Sequence, residues 1–153
     1  MIRKIIFLLV TLLPVQNALA TDATDVDRMQ MKIKINETEY NVALENNETV
    51  SALQSMLPLT LSMADLNNNE KYYYLEQPLP NSPEKVKSVS TGDIMLFGDD
   101  CLVVFYKDFE TPYSYTRIGH IGNTDDDLEQ SLGSGNVEIT FDTTESFMRK
   151  NME

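Results

Sequence analysis

The chain has 153 residues, and Asp and Glu outnumber Lys and Arg by 24 to 12, which gives a formal net charge of −12. A surface this acidic repels phosphate backbones, so nucleic acid is excluded as an expected partner. The length is sufficient for one domain with a hydrophobic core and short for two.

The first twenty residues have the pattern of a secretory signal peptide. Arg3 and Lys4 supply positive charge, residues 5–15 form an apolar run, and the Ala-Leu-Ala sequence at 18–20 has the small residues that signal peptidase requires. The run is shorter than the roughly 20 residues of a membrane-spanning helix. We therefore expect cleavage after Ala20, a secreted or periplasmic protein, and no membrane association after cleavage. Without Arg3 and Lys4, the net charge of −12 becomes −14.

Residues 21–29 are acidic and almost devoid of apolar side chains, which predicts a flexible leader before a domain that spans 30–153. The domain begins with a hairpin, because apolar and polar residues alternate in "MKIKINETEYNVALE" (31–45) on both sides of Asn36. A short helix follows, capped by Asn46 or Asn47 and stopped before "LTLSMADL" (59–66), which alternates again as a strand.

The second half of the chain is predicted to be mostly β-structure. "NNNEKYYYLEQPLPNSP" (67–83) is typical of a turn, a short aromatic strand and a proline-containing loop. Four further strands are predicted in "GDIMLFG", "CLVVFY", "YSYTRIGHI" and "NVEITFD", and a second helix is expected to begin at Thr124 and end before Gly133. Many short strands, two brief helices and frequent turns predict a closed or nearly closed β-barrel.

Four segments together resemble a bacterial cyclophilin-like family of small, mostly uncharacterised proteins. They are "LPLTLSMADLN" (57–67), "NNNEKYYYLEQPLP" (67–80), "GDIMLFGDDCLVVFY" (92–106) and "YSYTRIGHIG" (113–122). The resemblance implies a closed barrel of about eight strands with two short capping helices. True cyclophilins are peptidyl-prolyl isomerases that use an arginine in an "FHR" strand, a "QFF" segment, a tryptophan and a late histidine. This chain has no tryptophan, "FHR" or "QFF", so no catalytic position can be carried over.

The segment "YSYTRIGHIG" (113–122) concentrates the residues that could carry chemistry. Tyr113, Tyr115 and Arg117 are spaced by two and therefore share one face of a regular strand. An arginine could assist prolyl isomerisation, whose barrier is about 18–20 kcal/mol, by hydrogen-bonding the amide nitrogen. His120 is expected on the opposite face unless a bulge at the intervening glycine redirects it. The simpler interpretation is a wall strand in which Arg117 pairs with a carboxylate.

No metal site or cofactor is predicted. "DLNNNEKYYYLE" (65–76) overlaps the calcium loop of an EF-hand, but Glu70 stands where that loop needs glycine, so a hairpin turn explains the segment better. His120 has no nearby cysteine with which to build a tetrahedral site. Cys101 is the chain's single cysteine, which rules out an intrachain disulfide, and its apolar strand predicts a buried, unreactive thiol.

These patterns favour a binding domain that holds a peptide or a small molecule, with no catalytic constellation identified. The candidate ligand-binding residues are Tyr113, Tyr115, Arg117, Phe105, Tyr106 and His120. Two alternatives stay open: a weak peptidyl-prolyl isomerase or folding helper in the cell envelope, and a structural or interaction protein without a small-ligand site. The identity of the ligand and the oligomeric state do not follow from the sequence.

Overall fold

A computed structural model describes residues 30–122, 127–150 and 152. The expected signal peptide (1–20), the leader (21–29) and the helix start at Thr124 lie outside these residues. The strands are β1 (Gln30–Ile35), β2 (Thr38–Leu44), β3 (Leu59–Leu66), β4 (Glu70–Tyr74), β5 (Glu84–Lys85), β6 (Ser88–Val89), β7 (Asp93–Phe97), β8 (Cys101–Phe105), β9 (Phe109–Glu110), β10 (Ser114–Ile121) and β11 (Val137–Thr143). The helices are α1 (Glu48–Gln54), α2 (Asp127–Leu132) and α3 (Thr144–Lys150).

Eight antiparallel strands close into a barrel, which confirms the predicted fold. Their order is β2-β1-β11-β3-β4-β8-β7-β10, and pairing between β10 and β2 closes the ring. Closure removes the free edges of an open sheet. Strand β5 extends from β10, while β6 and β9 form a separate two-stranded sheet. The described residues contain three helices rather than the predicted two, because α3 follows β11 directly, without a glycine or proline to mark its start.

Two hairpins turn on asparagines whose backbone is left-handed. Asn36 has φ of 54° between β1 and β2, while Asn67 and Asn68 have φ of 54° and 53° between β3 and β4. Asparagine tolerates this conformation better than most residues, and two consecutive positive φ values are typical of the type I′ turns that favour hairpins. The segment with the calcium-loop pattern is therefore a β-hairpin, as the turn interpretation predicted.

Asn47 caps α1 and attaches this helix to the barrel wall. Its Oδ1 accepts a hydrogen bond from the Val50 N–H at 2.9 Å, and its Nδ2 donates to the Arg117 carbonyl oxygen at 2.8 Å. Val50 and Leu53 are buried in the main core beneath the helix. Among the described residues, no helix is both long and apolar enough to cross a membrane.

The core has two layers, one inside the barrel and one on its outer surface. Side chains alternate along each strand, so Leu102 and Val104 of β8 point into the main core, whereas Val103 and Phe105 belong to the outer cluster. Val89 of β6 belongs to this outer cluster, and Val86, between β5 and β6, and Phe109 of β9 pack against it. The continuous apolar run in β8 is therefore explained by burial on both faces.

Candidate functional site

The outer surface of β4, β8, β7 and β10 carries an aromatic face, which we define as Tyr74, Phe97 and Tyr113. Cys101 of β8 pairs with Tyr74 in β4 on one side and with Phe97 in β7 on the other, so the side chains of Cys101, Tyr74 and Phe97 point to the same outer face. The rings of Phe97 and Tyr113 meet edge to face, with their centroids 5.7 Å apart. Strand pairing and this ring contact thus bring together aromatic residues from three separate parts of the sequence.

This aromatic face is open to solvent. The exposed fractions are 61% for Tyr74, 42% for Phe97 and 58% for Tyr113. No other aromatic side chain whose burial the structure describes is as exposed. Clustered exposed apolar side chains, unlike scattered ones, are typical of an interaction site. The aromatic face is therefore the strongest candidate for a binding surface.

A second aromatic layer supports this face from below. Tyr115 is buried, and its ring lies 5.6 Å from that of Phe97 and 5.5 Å from that of Phe105, which is fully buried. Phe105 also packs edge to face on Phe109, with centroids 5.7 Å apart. Such ring pairs contribute about 0.5–1.5 kcal/mol each beyond their buried area. Of the predicted residues, Tyr113 forms the surface, whereas Tyr115 and Phe105 form its support.

Arg117 lies on the same outer side of β10, opposite Met95 of the outer cluster. Its Nε donates a hydrogen bond of 2.8 Å to Oε1 of Glu84, and both side chains are partly exposed. Exposed ion pairs of this kind contribute about 0–1 kcal/mol to stability. The structure therefore places Arg117 as the simpler interpretation anticipated, in a surface ion pair with a carboxylate.

A β-bulge in β10 redirects His120. Arg117 pairs with Met95 but Gly119 pairs with Ile94, so one extra residue is accommodated between them. His120 consequently pairs with Asp93 and lies on the outer side, together with Arg117. The expectation for a regular strand, in which His120 would lie on the opposite face from Arg117, is therefore wrong, and the bulge that was named as its exception is present.

Glycine is required at the bulge because the neighbouring strand approaches closely. A Cβ atom at Gly119 would lie 2.6 Å from the backbone oxygen of Ala43 in β2. A backbone oxygen on a paired strand cannot move away as a flexible side chain could. The contact that closes the barrel thus requires glycine at position 119, beside the bulge that places His120 on the outer side.

His120 is oriented by Asp93. Its Nδ1 lies 2.9 Å from Asp93 Oδ1, while Asp93 Oδ2 accepts a hydrogen bond of 2.9 Å from the Ser90 N–H. The imidazole is about half exposed and the carboxylate is mostly buried. Such a pair can orient an imidazole for hydrogen bonding or proton transfer. In the described part of the chain, no group of three or more His, Cys, Asp or Glu side chains is arranged to hold a metal ion.

The structure separates Tyr106 from the aromatic face and places it in a buried polar cluster. Lys71 is fully buried, and its ammonium donates to Asp65 Oδ1 at 2.7 Å and to the carbonyls of Gly133 and Gly135 at 2.8 and 2.7 Å. The Tyr106 hydroxyl donates to the same Asp65 oxygen. The Lys71 ammonium also lies 5.1 Å from the centre of the Tyr106 ring. The cluster joins the β3–β4 hairpin to the loop that follows α2.

The hydrogen bonds of this cluster keep Asp65 ionised. Burial raises the pKa of Asp65, but hydrogen bonds from Lys71, Tyr106 and the Asn68 N–H outweigh burial and lower that pKa below its ordinary value. Burial and the bond to Asp65 raise the pKa of Tyr106, which keeps its hydroxyl protonated. All three ammonium hydrogens of Lys71 have acceptors, so the role of the cluster is to stabilise the contact between the β3–β4 hairpin and the loop after α2. A neighbouring cavity of about 460 Å³ is lined partly by Tyr106.

Cys101 is a buried thiol, as its apolar strand predicted. Burial, followed by the charges of Asp100 and Glu70, raises its pKa to about 11, although a hydrogen bond with Tyr74 opposes this shift. The thiol is therefore protonated at neutral pH and is a poor nucleophile. Its role is to form part of the support beneath Tyr74 and Phe97.

Comparison with known protein families agrees with the architecture. A family model described as the cyclophilin-like family matches residues 33–142, which begin within β1 and end within β11 and so include all or part of every strand of the barrel. None of the curated proteins is similar enough in sequence to count as a match.

Proposed function

Because the chain belongs to the cyclophilin-like family, we propose that its barrel is a binding domain that holds a peptide or an apolar small molecule against the aromatic face. The observation that carries this proposal is the exposure of Tyr74, Phe97 and Tyr113 on one side of the barrel. Burying these rings under a ligand would remove apolar surface from water, which is the main favourable term in association.

The construction of the face also favours binding. Tyr115 supports Phe97 from below through a ring contact of 5.6 Å, and Phe105 supports Tyr115 through one of 5.5 Å, so the ring of Phe97 is packed in place before a ligand arrives. A preformed surface loses little conformational entropy on binding. Aromatic side chains combine a large contact area with few rotatable bonds, and they often dominate the energy of an interface. The tyrosine hydroxyls could bind the polar groups of a peptide backbone.

The proposal includes export of the protein. Its support is the amino-terminal pattern of positive charge, apolar run and Ala-Leu-Ala sequence in residues 1–20. Expression in a bacterial host, followed by fractionation and amino-terminal sequencing, tests it. An exported product that begins at Thr21 is expected, whereas a full-length cytoplasmic product would contradict export.

A weak prolyl isomerase is the second candidate, and one observation favours it. Because of the bulge, His120 lies with Arg117 on the outer side of β10, the side that carries the aromatic face. Arg117 would have to exchange its bond with Glu84, which is 2.8 Å long, for one with a prolyl amide nitrogen. Loss of isomerase activity in Arg117→Ala, with folding intact, would support this candidate.

A short neutral peptide tests the binding proposal. The probe is acetyl-Ala-Ala-Phe-Pro-Ala-Ala-amide, added to isotope-labelled protein while amide resonances are followed by NMR. Shifts are expected in β4, β7 and β10 around Tyr74, Phe97 and Tyr113. Tyr113→Ala is expected to weaken binding about tenfold, as for the loss of an aromatic anchor.

A matched control is Leu66→Ala, since Leu66 is also exposed but lies at the end of β3. This variant should bind the probe as well as the wild type does. Equal weakening in Leu66→Ala and Tyr113→Ala would contradict a site on the aromatic face. An absence of shifts at millimolar probe would instead favour the third possibility, an interaction protein without a small-ligand site.

A further inference from the structure

A basic groove adjoins the aromatic face. It has a volume of about 640 Å³ and is lined by Lys85, Lys87, Glu110, Thr111 and Pro112. Lys85 in β5 pairs with Ser114, the residue after Tyr113, and Pro112 directly precedes Tyr113. The groove and the aromatic face therefore meet at Tyr113, and one extended ligand could occupy both.

The two lysines of this groove differ from the other basic residues whose side chains the structure describes. Lys32, Lys34, Lys71, Lys107, Arg117 and Arg149 each have a carboxylate oxygen within 3.5 Å. Lys85 and Lys87 are exposed and form no ion pair with any residue that the structure describes. Acidic residues outnumber basic ones by 24 to 12 in this chain, so two neighbouring unpaired ammonium groups are unusual here. Even Glu110, which lines the same groove, pairs with neither of them.

Lys87 also has a strained backbone. Its φ is 66°, and the Ser88 N–H donates to the Val86 carbonyl at 2.8 Å, which makes Lys87 the central residue of a γ-turn. The other non-glycine residues with positive φ in the described part of the chain are asparagines at hairpin turns. Glycine or asparagine would fit position 87 with less strain. A lysine at this position is explained if its ammonium has a role.

We propose that the groove is an anion subsite, and that the ligand is a peptide segment with carboxylates next to an aromatic or proline residue. This inference rests on the proposed peptide-binding function and adds the charge of the ligand to it. The apolar residue would pack on Tyr113 while the carboxylates pair with Lys85 and Lys87. A net charge of −12 repels acidic ligands in general, so recognition of a carboxylate needs such a local pair of free ammonium groups.

Three peptides of equal length test the inference. The acidic probe is acetyl-Glu-Glu-Phe-Pro-Glu-Glu-amide. The neutral probe has alanine in place of all four glutamates, and the basic probe has lysine in place of all four. At low salt, the acidic probe is expected to bind about fivefold to tenfold more tightly than the neutral probe, from two partly exposed ion pairs. The overall charge alone predicts the opposite order, with the lysine probe binding best. That order would overturn the inference.

Two variants locate the effect. Lys85→Gln and Lys87→Asn should each lose most of the preference for the acidic probe and keep their affinity for the neutral one. Lys87→Asn should also raise the melting temperature, since asparagine suits the positive φ. The control is Lys107→Gln, which removes the same charge from a lysine already paired with Glu129, and it should keep the preference.

The outcomes separate this inference from the proposed function. Equal binding of all three probes, with shifts at Tyr113, overturns the anion subsite and leaves peptide binding in place. An acidic preference that survives Lys85→Gln and Lys87→Asn also overturns it. If none of the probes binds, the proposed peptide-binding function fails, and the subsite fails with it.

Discussion

Replacing Lys71 with methionine is expected to destabilise the barrel by about 3–5 kcal/mol, the usual cost of removing one partner from a buried ion pair. The ammonium of Lys71 makes three hydrogen bonds of 2.7–2.8 Å, one to Asp65 and two to backbone carbonyls. Hydrogen bonds to charged groups contribute about 1.5–3 kcal/mol each, so the three together amount to about 4.5–9 kcal/mol, and the desolvation cost of the ammonium, which methionine avoids, reduces the net loss. Asp65 retains the Tyr106 hydroxyl and the Asn68 N–H, and methionine retains most of the apolar stem.

Urea unfolding followed by far-UV circular dichroism measures this loss. The control is Lys34→Met, since Lys34 makes an exposed ion pair of 3.5 Å with Glu37; it should change stability by about 1 kcal/mol or less. The double variant Lys71→Met/Asp65→Asn should be more stable than Lys71→Met, because no unpaired carboxylate is left behind. A loss below about 1 kcal/mol in Lys71→Met would refute the reasoning, as would a double variant less stable than the single one.

The same cluster predicts a pH dependence. Hydrogen bonds from Lys71, Tyr106 and Asn68 lower the pKa of Asp65 below its ordinary value of 3.8. Its stabilising contribution is therefore complete above the pKa of the unfolded chain and is lost as the pH falls through the lower pKa of the folded state. In Lys71→Met the largest cause of that lowering is gone, so Asp65 has less stability to lose on acidification, and the difference in unfolding free energy between wild type and variant should narrow as the pH falls. A difference that stays constant from neutral to acid pH would contradict the role of Lys71.

Three further predictions concern other parts of the barrel. Gly119→Ala should cost about 1–3 kcal/mol in urea unfolding, because its Cβ would lie 2.6 Å from the Ala43 oxygen, whereas Gly122→Ala, with 3.7 Å to its nearest neighbour, should cost less; equal costs would contradict the close approach. Arg117→Ala should change the free energy of unfolding by about 1 kcal/mol or less, and a larger loss would show that its ion pair is not a surface pair. Cys101 should resist alkylation by iodoacetamide at neutral pH until urea unfolds the protein, since burial raises its pKa to about 11; rapid alkylation of native protein would contradict this.

Most of the barrel could be predicted from the sequence, because strand alternation, turn residues and helix caps are set by neighbouring residues in the chain. Alternation predicted the strands on either side of Asn36, and a hairpin turn was predicted within residues 65–76; the structure places asparagines with positive φ at both turns. Asn47, one of two candidate caps, is the one that binds the Val50 N–H. The apolar run that contains Cys101 predicted a strand, although its burial on two faces became clear only with the outer cluster in place.

The site was less predictable because it depends on contacts between strands that are distant in sequence. Tyr74 and Phe97 were missed, since they meet only through their shared neighbour in β8. The sequence left two faces open for His120, one for a regular strand and one for a bulge at Gly119, and only the register of β10 against β7 shows that the bulge is present. Lys71 follows an asparagine turn and precedes three tyrosines, and no local signal shows that glycine carbonyls over 60 residues away bind its ammonium.

The central claim is that the aromatic face binds a peptide, and the most direct test is the NMR titration with acetyl-Ala-Ala-Phe-Pro-Ala-Ala-amide. We predict shifts centred on Tyr74, Phe97 and Tyr113. The affinity for the probe should fall about tenfold in Tyr113→Ala and stay unchanged in Leu66→Ala. Shifts confined to another part of the barrel, or binding that Tyr113→Ala leaves unchanged, would contradict the claim.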